Sequence, residues 1–373
     1  MIHAPTAVWG VLLALWSLSF LYTAVALGRL LTLRLPQPAR GADLPKVSVV
    51  KPLCGLEPEL EENLATFCEQ EYSPYHVIFS VRDGTDPAVA AARRVIAAHP
   101  SCDASVVVGG GRPSRNPKIE NLSAAVSQAL GEIIVIADSD MRVDPAYLRE
   151  VAAPFADDRV GAVTALFGAR AAGTTVSRLG AMFVNDQFVP SVLVATLLQP
   201  IGYTFGATMA VRRAVLDEIG GITAIGGTIA DDYMLGRLVT ERGYRVAFAG
   251  SIPLTLVSEP RLSDLVAREV RWARTVRSVR PLGYMGTILT FPILFGLLNL
   301  LFLPSAAAGA ALLLASLVER IALHVGANAA LRIPGAARPW LVPLREALSV
   351  AVWAGGLFGS RARWRHHDLR VSN

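Results

Sequence analysis

From Leu282 to Val318 the chain carries no charged side chain, a run long enough to cross a bilayer core of about 30 Å twice. The run breaks near Pro304-Ser305, and its second half continues past Glu319 and Arg320. Residues 4–28 are also free of charge, include Trp9, Trp16 and Tyr22, and end at Arg29. A signal peptide competes for this segment. However, no basic region precedes it, it exceeds the usual apolar length, and no clear cleavage site comes before Arg29. The arginines that follow place its C-terminal end in the cytoplasm.

Composition agrees. Apolar residues make up 53% of the 373 and charged residues 17%, an apolar excess that puts part of the chain in lipid. The net charge is +5, and the basic excess lies beside apolar segments, in Arg29, Arg34, Arg40, the arginines of 261–280, and Arg361 to Arg370. That pattern suits an anionic cytoplasmic membrane face and not nucleic acid. Cys54, Cys68 and Cys102 form no C-x-x-C pair, so neither a disulfide framework nor a zinc site is indicated, and they read as reduced structural residues.

A linker rich in Pro, Gly and charge, Leu35 to Pro45, leads into strands alternating with helices. Val47–Leu53, His76–Val81, Ser105–Val108 and Glu132–Ala137 read as strands. Glu57–Gln70, Pro87–His99 and Lys118–Leu130 read as helices. The alternation predicts an α/β fold, a mainly parallel sheet with helices on both faces. A dinucleotide-binding fold is the rival, but no G-x-G-x-x-G follows the first strand, and Gly109-Gly110-Gly111 lacks the spacing. The fourth strand delivers Asp138-Ser139-Asp140 at its carboxyl end. Open α/β sheets bind ligands there, so two aspartates one residue apart are placed to hold a divalent metal. A plain turn is the alternative, since Asp and Ser favour turns.

Further on, Val160–Ala169 and Phe205–Val211 read as strands and Arg213–Ile219 as a helix ended by Gly220-Gly221. Ser177–Leu198 is apolar but interrupted by Asn185, Asp186, Gln187 and Pro190, which argues for a semi-buried helix and against a span. Asp231-Asp232-Tyr233 opens a helix to about Arg242, where helix capping is the competing role for the aspartates. In Leu262–Arg280, arginines 268, 271, 274, 277 and 280 recur at every third position, a spacing that drifts around a helix. Arg268, Arg271 and Trp272 share a face, and Arg277 and Arg280 lie nearest the lipid. Leu341–Gly359 is interrupted by Pro343, Arg345 and Glu346 and precedes a basic tail, so positive-inside counting favours a re-entrant or interfacial helix.

Four features thus follow in order: Val81-Arg-Asp83-Gly-Thr-Asp86-Pro87, Asp138-Ser-Asp140, Asp231-Asp232-Tyr233 and Arg268-Glu-Val-Arg271-Trp272. The series resembles the D1, D2, D3, (Q/R)xxRW signature of membrane-bound family 2 type and ceramide-glucosyltransferase-like glycosyltransferases. Val49-Val50-Lys51-Pro52-Leu53 with Gly55, and Asn116-Pro117-Lys118-Ile119 with Asn121-Leu122, resemble the ceramide glucosyltransferase branch, as does the tail around Trp364, Arg365 and Arg370. Bacterial hopanoid-biosynthesis glycosyltransferases are the nearest group within it.

The resemblance implies a GT-A domain and an inverting transfer of glucose or N-acetylglucosamine from a UDP-sugar to a lipid hydroxyl, with Mg2+ or Mn2+ as cofactor. It implies a layout of an N-terminal membrane helix (1–35), a cytoplasmic catalytic domain (45–260), an interfacial helix (261–281), a membrane and re-entrant region (282–360) and a basic tail (361–373). The expected location is the inner membrane. Asp83 and Asp86 fall where the family contacts uridine, Asp86 matching better. Asp138 and Asp140 take the metal and ribose side, with the division between them open, and Lys118 assists at the diphosphate. Asp232 is the general base, Arg268 and Arg271 hold the leaving diphosphate, and Trp272 closes the acceptor side. The acceptor is a hopanoid polyol or a sphingolipid-like alcohol. A processive polysaccharide synthase, which more often has Gln at the Arg268 position, and a non-enzymatic nucleotide-sugar sensor are the alternatives. His76, His99 and His324 lie in no hydrolase motif.

Overall fold

The computed structural model describes residues 6–37, 45–333, 335–359, 361–364 and 367–370. Most of the expected linker, residues 38–44 with Arg40, and Arg365 of the tail lie outside the described residues. The chain forms two compact units, one of Arg34–Phe167 and Ile201–Leu256, the other of Met1–Leu33, Gly168–Pro200 and Val257–Asn373. Residues 168–200, expected inside the 45–260 domain, therefore group with the apolar helices.

The first unit is built on a seven-stranded sheet of β1 (Val47–Leu53), β2 (Tyr75–Val81), β3 (Ala104–Val108), β4 (Ile133–Ile136), β5 (Val160–Thr164), β6 (Met209–Arg212) and β7 (Arg245–Phe248). Its order is β3-β2-β1-β4-β6-β5-β7. Neighbours from β3 to β4 run parallel, as do β5 and β7, and only β6 is antiparallel to its neighbours. Strands β1 and β4 are buried along nearly their whole length, as expected of strands covered on both faces. Their register is set at Gly131, where an added Cβ would come within 2.4 Å of the Ser48 nitrogen. There Ser48 Oγ accepts the N–H groups of Leu130 and Gly131.

Helices Leu60–Cys68, Ala88–Ala98 and Pro117–Gln128 fill the connections. Val49, Phe67, Phe79, Val135 and Tyr147 lie in one core. The chain leaves β1 for β2 and β3 on one side and returns to β4 on the other. The carboxyl ends of β1 and β4 thus form a switch point, where open α/β sheets take their ligands. The expected strand Phe205–Val211 is shorter. Its first half is a loop, because Thr164 Oγ1 takes the Phe205 N–H and donates to the Thr208 carbonyl, bending the backbone out of the ladder.

In the second unit, Thr6–Leu31, Thr175–Leu198 and Ala306–Ala330 are each long and apolar enough to cross a membrane, and Pro281–Thr290 with Pro292–Phe302 forms a further pair bent by 64°. The break between the last spans falls at residues 303–305, as expected. Thr175–Leu198 is half buried, in keeping with the expected semi-buried helix, and its polar residues sit in a π-helical turn, Val184–Phe188. Asn185 bonds both the N–H and the carbonyl of Ala169, and Asp186 bonds His324 Nδ1 at 2.7 Å.

Val342–Gly356 is a 15-residue helix whose interrupting charges are buried in pairs. Arg345 makes a bidentate contact with Glu269 at 2.9 and 2.8 Å, and Arg320 lies 3.1 Å from Glu346. Arg277 donates to the carbonyls of Leu357 and Gly359. The backbone of Arg361–Trp364 pairs with His367–Arg370 as a hairpin.

Candidate active site

Each residue of Asp138-Ser139-Asp140, at the end of β4, is fixed by a separate contact. Lys51, fully buried in β1, donates from Nζ to the Asp138 carbonyl at 2.5 Å and sits 3.7 Å above the Phe67 ring. Ser139 Oγ donates to Glu57 at 2.5 Å. Thr255 Oγ1 donates to Asp140 Oδ2 at 2.6 Å, on the short antiparallel pairing of Met141–Arg142 with Leu254–Thr255. Burial lowers the Lys51 ammonium to about 7, even though Asp140 and Asp138 favour its charge. Burial, then the charge of Asp138, raises Asp140 to about 6.

The Asp138 carboxylate is itself held by Lys118 Nζ at 2.8 Å, and the same ammonium lies 3.2 Å from Asp231 Oδ2. Lys118 reaches both because Asn116 caps its helix, accepting the Lys118 N–H at 3.0 Å and donating to the Thr228 carbonyl and to Asp231 Oδ1. Burial alone would lower the lysine; the two carboxylates more than offset it and hold it well above its ordinary value. Asp231 therefore carries an ion pair and makes no helix cap.

Asp232 is different. Its Oδ1 accepts the Tyr233 N–H at 2.7 Å and its Oδ2 the Gly206 N–H at 3.2 Å. Burial first, then neighbouring Asp231, raises its carboxyl to about 7, with Lys118 opposing. That is the range in which a carboxylate works as a base near neutral pH. Gly206 is required here: a Cβ would stand 2.7 Å from Asp138 Oδ2 and 3.7 Å from Lys118 Nζ. The absence of a side chain leaves a cradle beside the one aspartate of the loop whose side chain is 41% exposed.

The aspartates after β2 are tied into turns. Asp86 accepts from the Gly55 N–H with both oxygens at 2.9 Å and from Ala88 at 2.9 Å. Asp83 accepts from Thr85 N–H and Oγ1, contacts that hold its carboxyl below its ordinary value. Asn121 fastens the ends of β1 and β2 together, bonding the carbonyls of Leu53 and Ser80. In the other unit, the Arg268 guanidinium lies 5.0 Å over the Trp272 ring and pairs with Glu259. Trp272 packs against Phe183 at 5.9 Å, and Arg271 follows on the same helix.

Asp138, Asp140, Asp231, Asp232 and Lys118 thus gather in one unit, whereas Arg268, Arg271 and Trp272 belong to the other. No group of three or more His, Cys, Asp or Glu able to hold a metal occurs among the described residues. Two carboxylates such as Asp138 and Asp140 suit a hard divalent cation whose remaining ligands are phosphate oxygens and water. Sequence reasoning missed Lys51, Glu57, Thr255 and Gly206. A lysine inside an apolar strand was a readable signal for the first; nothing local marked the others.

A model of glycosyl transferase family 21 matches residues 10–373. Ceramide glucosyltransferase 3 of Caenorhabditis elegans is 28% identical over 62% of this chain and 51% of its own length. An N-acetylglucosaminyltransferase of Rhizobium leguminosarum bv. viciae is 25% identical over 74% of this chain and 64% of its own. The chain spans about half the length of the Caenorhabditis relatives it matches. Among solved structures, a mannosyltransferase from Pyrobaculum calidifontis in complex with GDP-Man and Mn2+ has a TM-score of 0.56 and 24% identity, covering 94% of this chain and 98% of that one. That likeness is one of fold, the GT-A type.

Proposed function

Because the chain belongs to glycosyl transferase family 21, we propose that it transfers a hexose, glucose or N-acetylglucosamine, from a UDP-sugar to a membrane lipid hydroxyl with inversion at the anomeric carbon. The lipid is a hopanoid polyol, or alternatively a ceramide-like alcohol. The observation that carries this reading is Asp232, a half-buried carboxylate fixed by two backbone N–H groups and raised to about 7. It lies in the unit that carries the Lys118–Asp138–Asp231 bridge.

In this mechanism Asp232 takes the proton of the acceptor hydroxyl as its oxygen attacks the anomeric carbon. Asp138 and Asp140 would hold Mg2+ or Mn2+, which would supply charge neutralisation for the departing diphosphate. Lys118 adds a positive charge at the same place and pairs with Asp231, the carboxylate next to the base. Asp86 and Asp83, at the end of β2, serve the uridine. For Arg268, Arg271 and Trp272 the proposed roles, diphosphate binding and closure of the acceptor side, rest on the motif and on the Arg268–Trp272 stacking. The apolar helices anchor the chain in the bacterial inner membrane, and the arginines after Leu27 favour a cytoplasmic catalytic unit.

The test is incubation of the detergent-purified protein with a panel of UDP-sugars and lipid acceptors, with and without EDTA. A glycolipid mass that disappears in EDTA is expected. Full activity in EDTA contradicts the metal role of Asp138 and Asp140.

A further inference from the structure

Residues 203–206 lie against the start of the helix that bears Asp232. Thr204 donates its N–H and its hydroxyl to the Asp232 carbonyl, at 3.3 and 2.7 Å. A Cβ at Gly236 would stand 2.3 Å from Tyr203 Cα, so the glycine is what lets the two backbones approach. This seating brings the Tyr203 ring onto that of Tyr233, with centroids 6.0 Å apart and planes at 27°. Tyr203 also meets Phe205 edge to face at 5.6 Å, and Phe205 meets Phe167 at 6.5 Å. Both tyrosines remain partly exposed.

We propose that Tyr203 and Tyr233 form the aromatic platform that receives the carbon framework of the lipid acceptor beside its reacting hydroxyl. The inference rests on the reading of Asp232 as the base. A base must lie within hydrogen-bond reach of the hydroxyl it deprotonates, so the carbons next to that hydroxyl lie within a few ångströms of Asp232. Tyr233 follows Asp232 directly, and Tyr203 is one residue from its hydrogen-bonded partner Thr204. Tyrosine offers an apolar face with a polar tip, which matches a lipid at the junction of hydrocarbon and hydroxyl. The ion-paired charges of Lys118, Asp138 and Asp231 offer no apolar face to hydrocarbon, whereas the two rings do. A uracil base could also stack on such rings, and the experiment separates the two.

The full-length protein is assayed as wild type and as Tyr203→Leu, Tyr233→Leu and the two Phe variants, measuring acceptor KM, UDP affinity and UDP-sugar hydrolysis without acceptor. Each Leu variant is expected to raise acceptor KM about tenfold, the scale of one lost aromatic contact. UDP affinity and hydrolysis stay unchanged, and the Phe variants return to within about twofold of wild type. Tyr233→Leu spares the Tyr203–Phe205 edge contact, so it remains informative if Tyr203→Leu fails to fold. An unchanged acceptor KM in Tyr233→Leu overturns the proposal, as does an equal loss of UDP affinity, which would give the rings to the nucleotide. Failure of the wild type to glycosylate any lipid instead overturns the functional reading on which the platform rests.

Discussion

Lys118 Nζ stands 2.8 Å from Asp138 and 3.2 Å from Asp231, so one ammonium joins the carboxylate after β4 to the helix that carries Asp232. Removing it leaves Asp231 buried without its counter-charge, which is costly, and takes away the cation that opposes the upward shift of Asp232. Lys118→Met is expected to lower kcat/KM by about 10²-fold, the scale of a lost charge-assisted contact. It should also move the acidic limb of the pH–rate profile to higher pH. An unshifted limb separates Lys118 from the base.

Asp232→Asn keeps the side chain's shape and removes its basicity. Transfer should fall about 10²–10⁴-fold, the usual share of a general base, while UDP affinity measured by calorimetry stays close to wild type. Turnover like that of the wild type would exclude Asp232 as the base.

The raised carboxyl of Asp232 has opposite consequences for activity and stability. A base must be ionised, so activity should rise as pH increases through about 7. The folded protein holds this proton more tightly than the unfolded chain, so its stabilising contribution is complete below the unfolded carboxylate range and is lost as pH rises through about 7. Asp232→Asn should therefore melt at a higher temperature than wild type at pH 8 and show little difference at pH 4. Thermal scans at the two pH values check this.

Much of this site could be read in the sequence, and the omissions have a common cause. Runs such as Ile133–Ile136 and the carboxylates at their ends are local signals, so strands and candidate aspartates are legible together, whereas the lateral order of the strands is seen only in the fold. Thr255 acts on Asp140 across 115 positions, and Gly206 on Asp138 across 68, separations for which a single chain holds no periodic sign. The assignment of Asp231 to Lys118 likewise depends on Asn116 bridging to Thr228. Asn185 and Asp186 mark their helix as semi-buried, but their partners, Ala169 and His324, become visible only in the fold.

Gly206→Ala tests the cradle. Its Cβ would fall 2.7 Å from Asp138 Oδ2, so the carboxylate must swing away or the loop must shift. We expect metal-supported UDP binding to weaken by about tenfold or more, given that misplacement of about 1 Å can cost two orders of magnitude in rate. Calorimetry with UDP and Mn2+ measures it, and unchanged affinity would show that the space is not used.

Arg345 and Glu269 are almost fully buried as a bidentate pair. Arg345→Met alone should destabilise the apolar unit by about 3–5 kcal/mol, because it leaves a buried carboxylate without a partner. Combining it with Glu269→Leu should recover much of that loss. Thermal unfolding in detergent distinguishes the single from the double variant.

As the proposed base, Asp232 would drive a single displacement of UDP by a lipid hydroxyl. The most direct measurement is the anomeric configuration, by NMR, of glycolipid formed from an α-linked UDP-hexose by the purified wild type, with Asp232→Asn run in parallel. A β-linked product made by the wild type and nearly absent from the variant is the predicted result. An α-linked product, or equal product from both proteins, would contradict it.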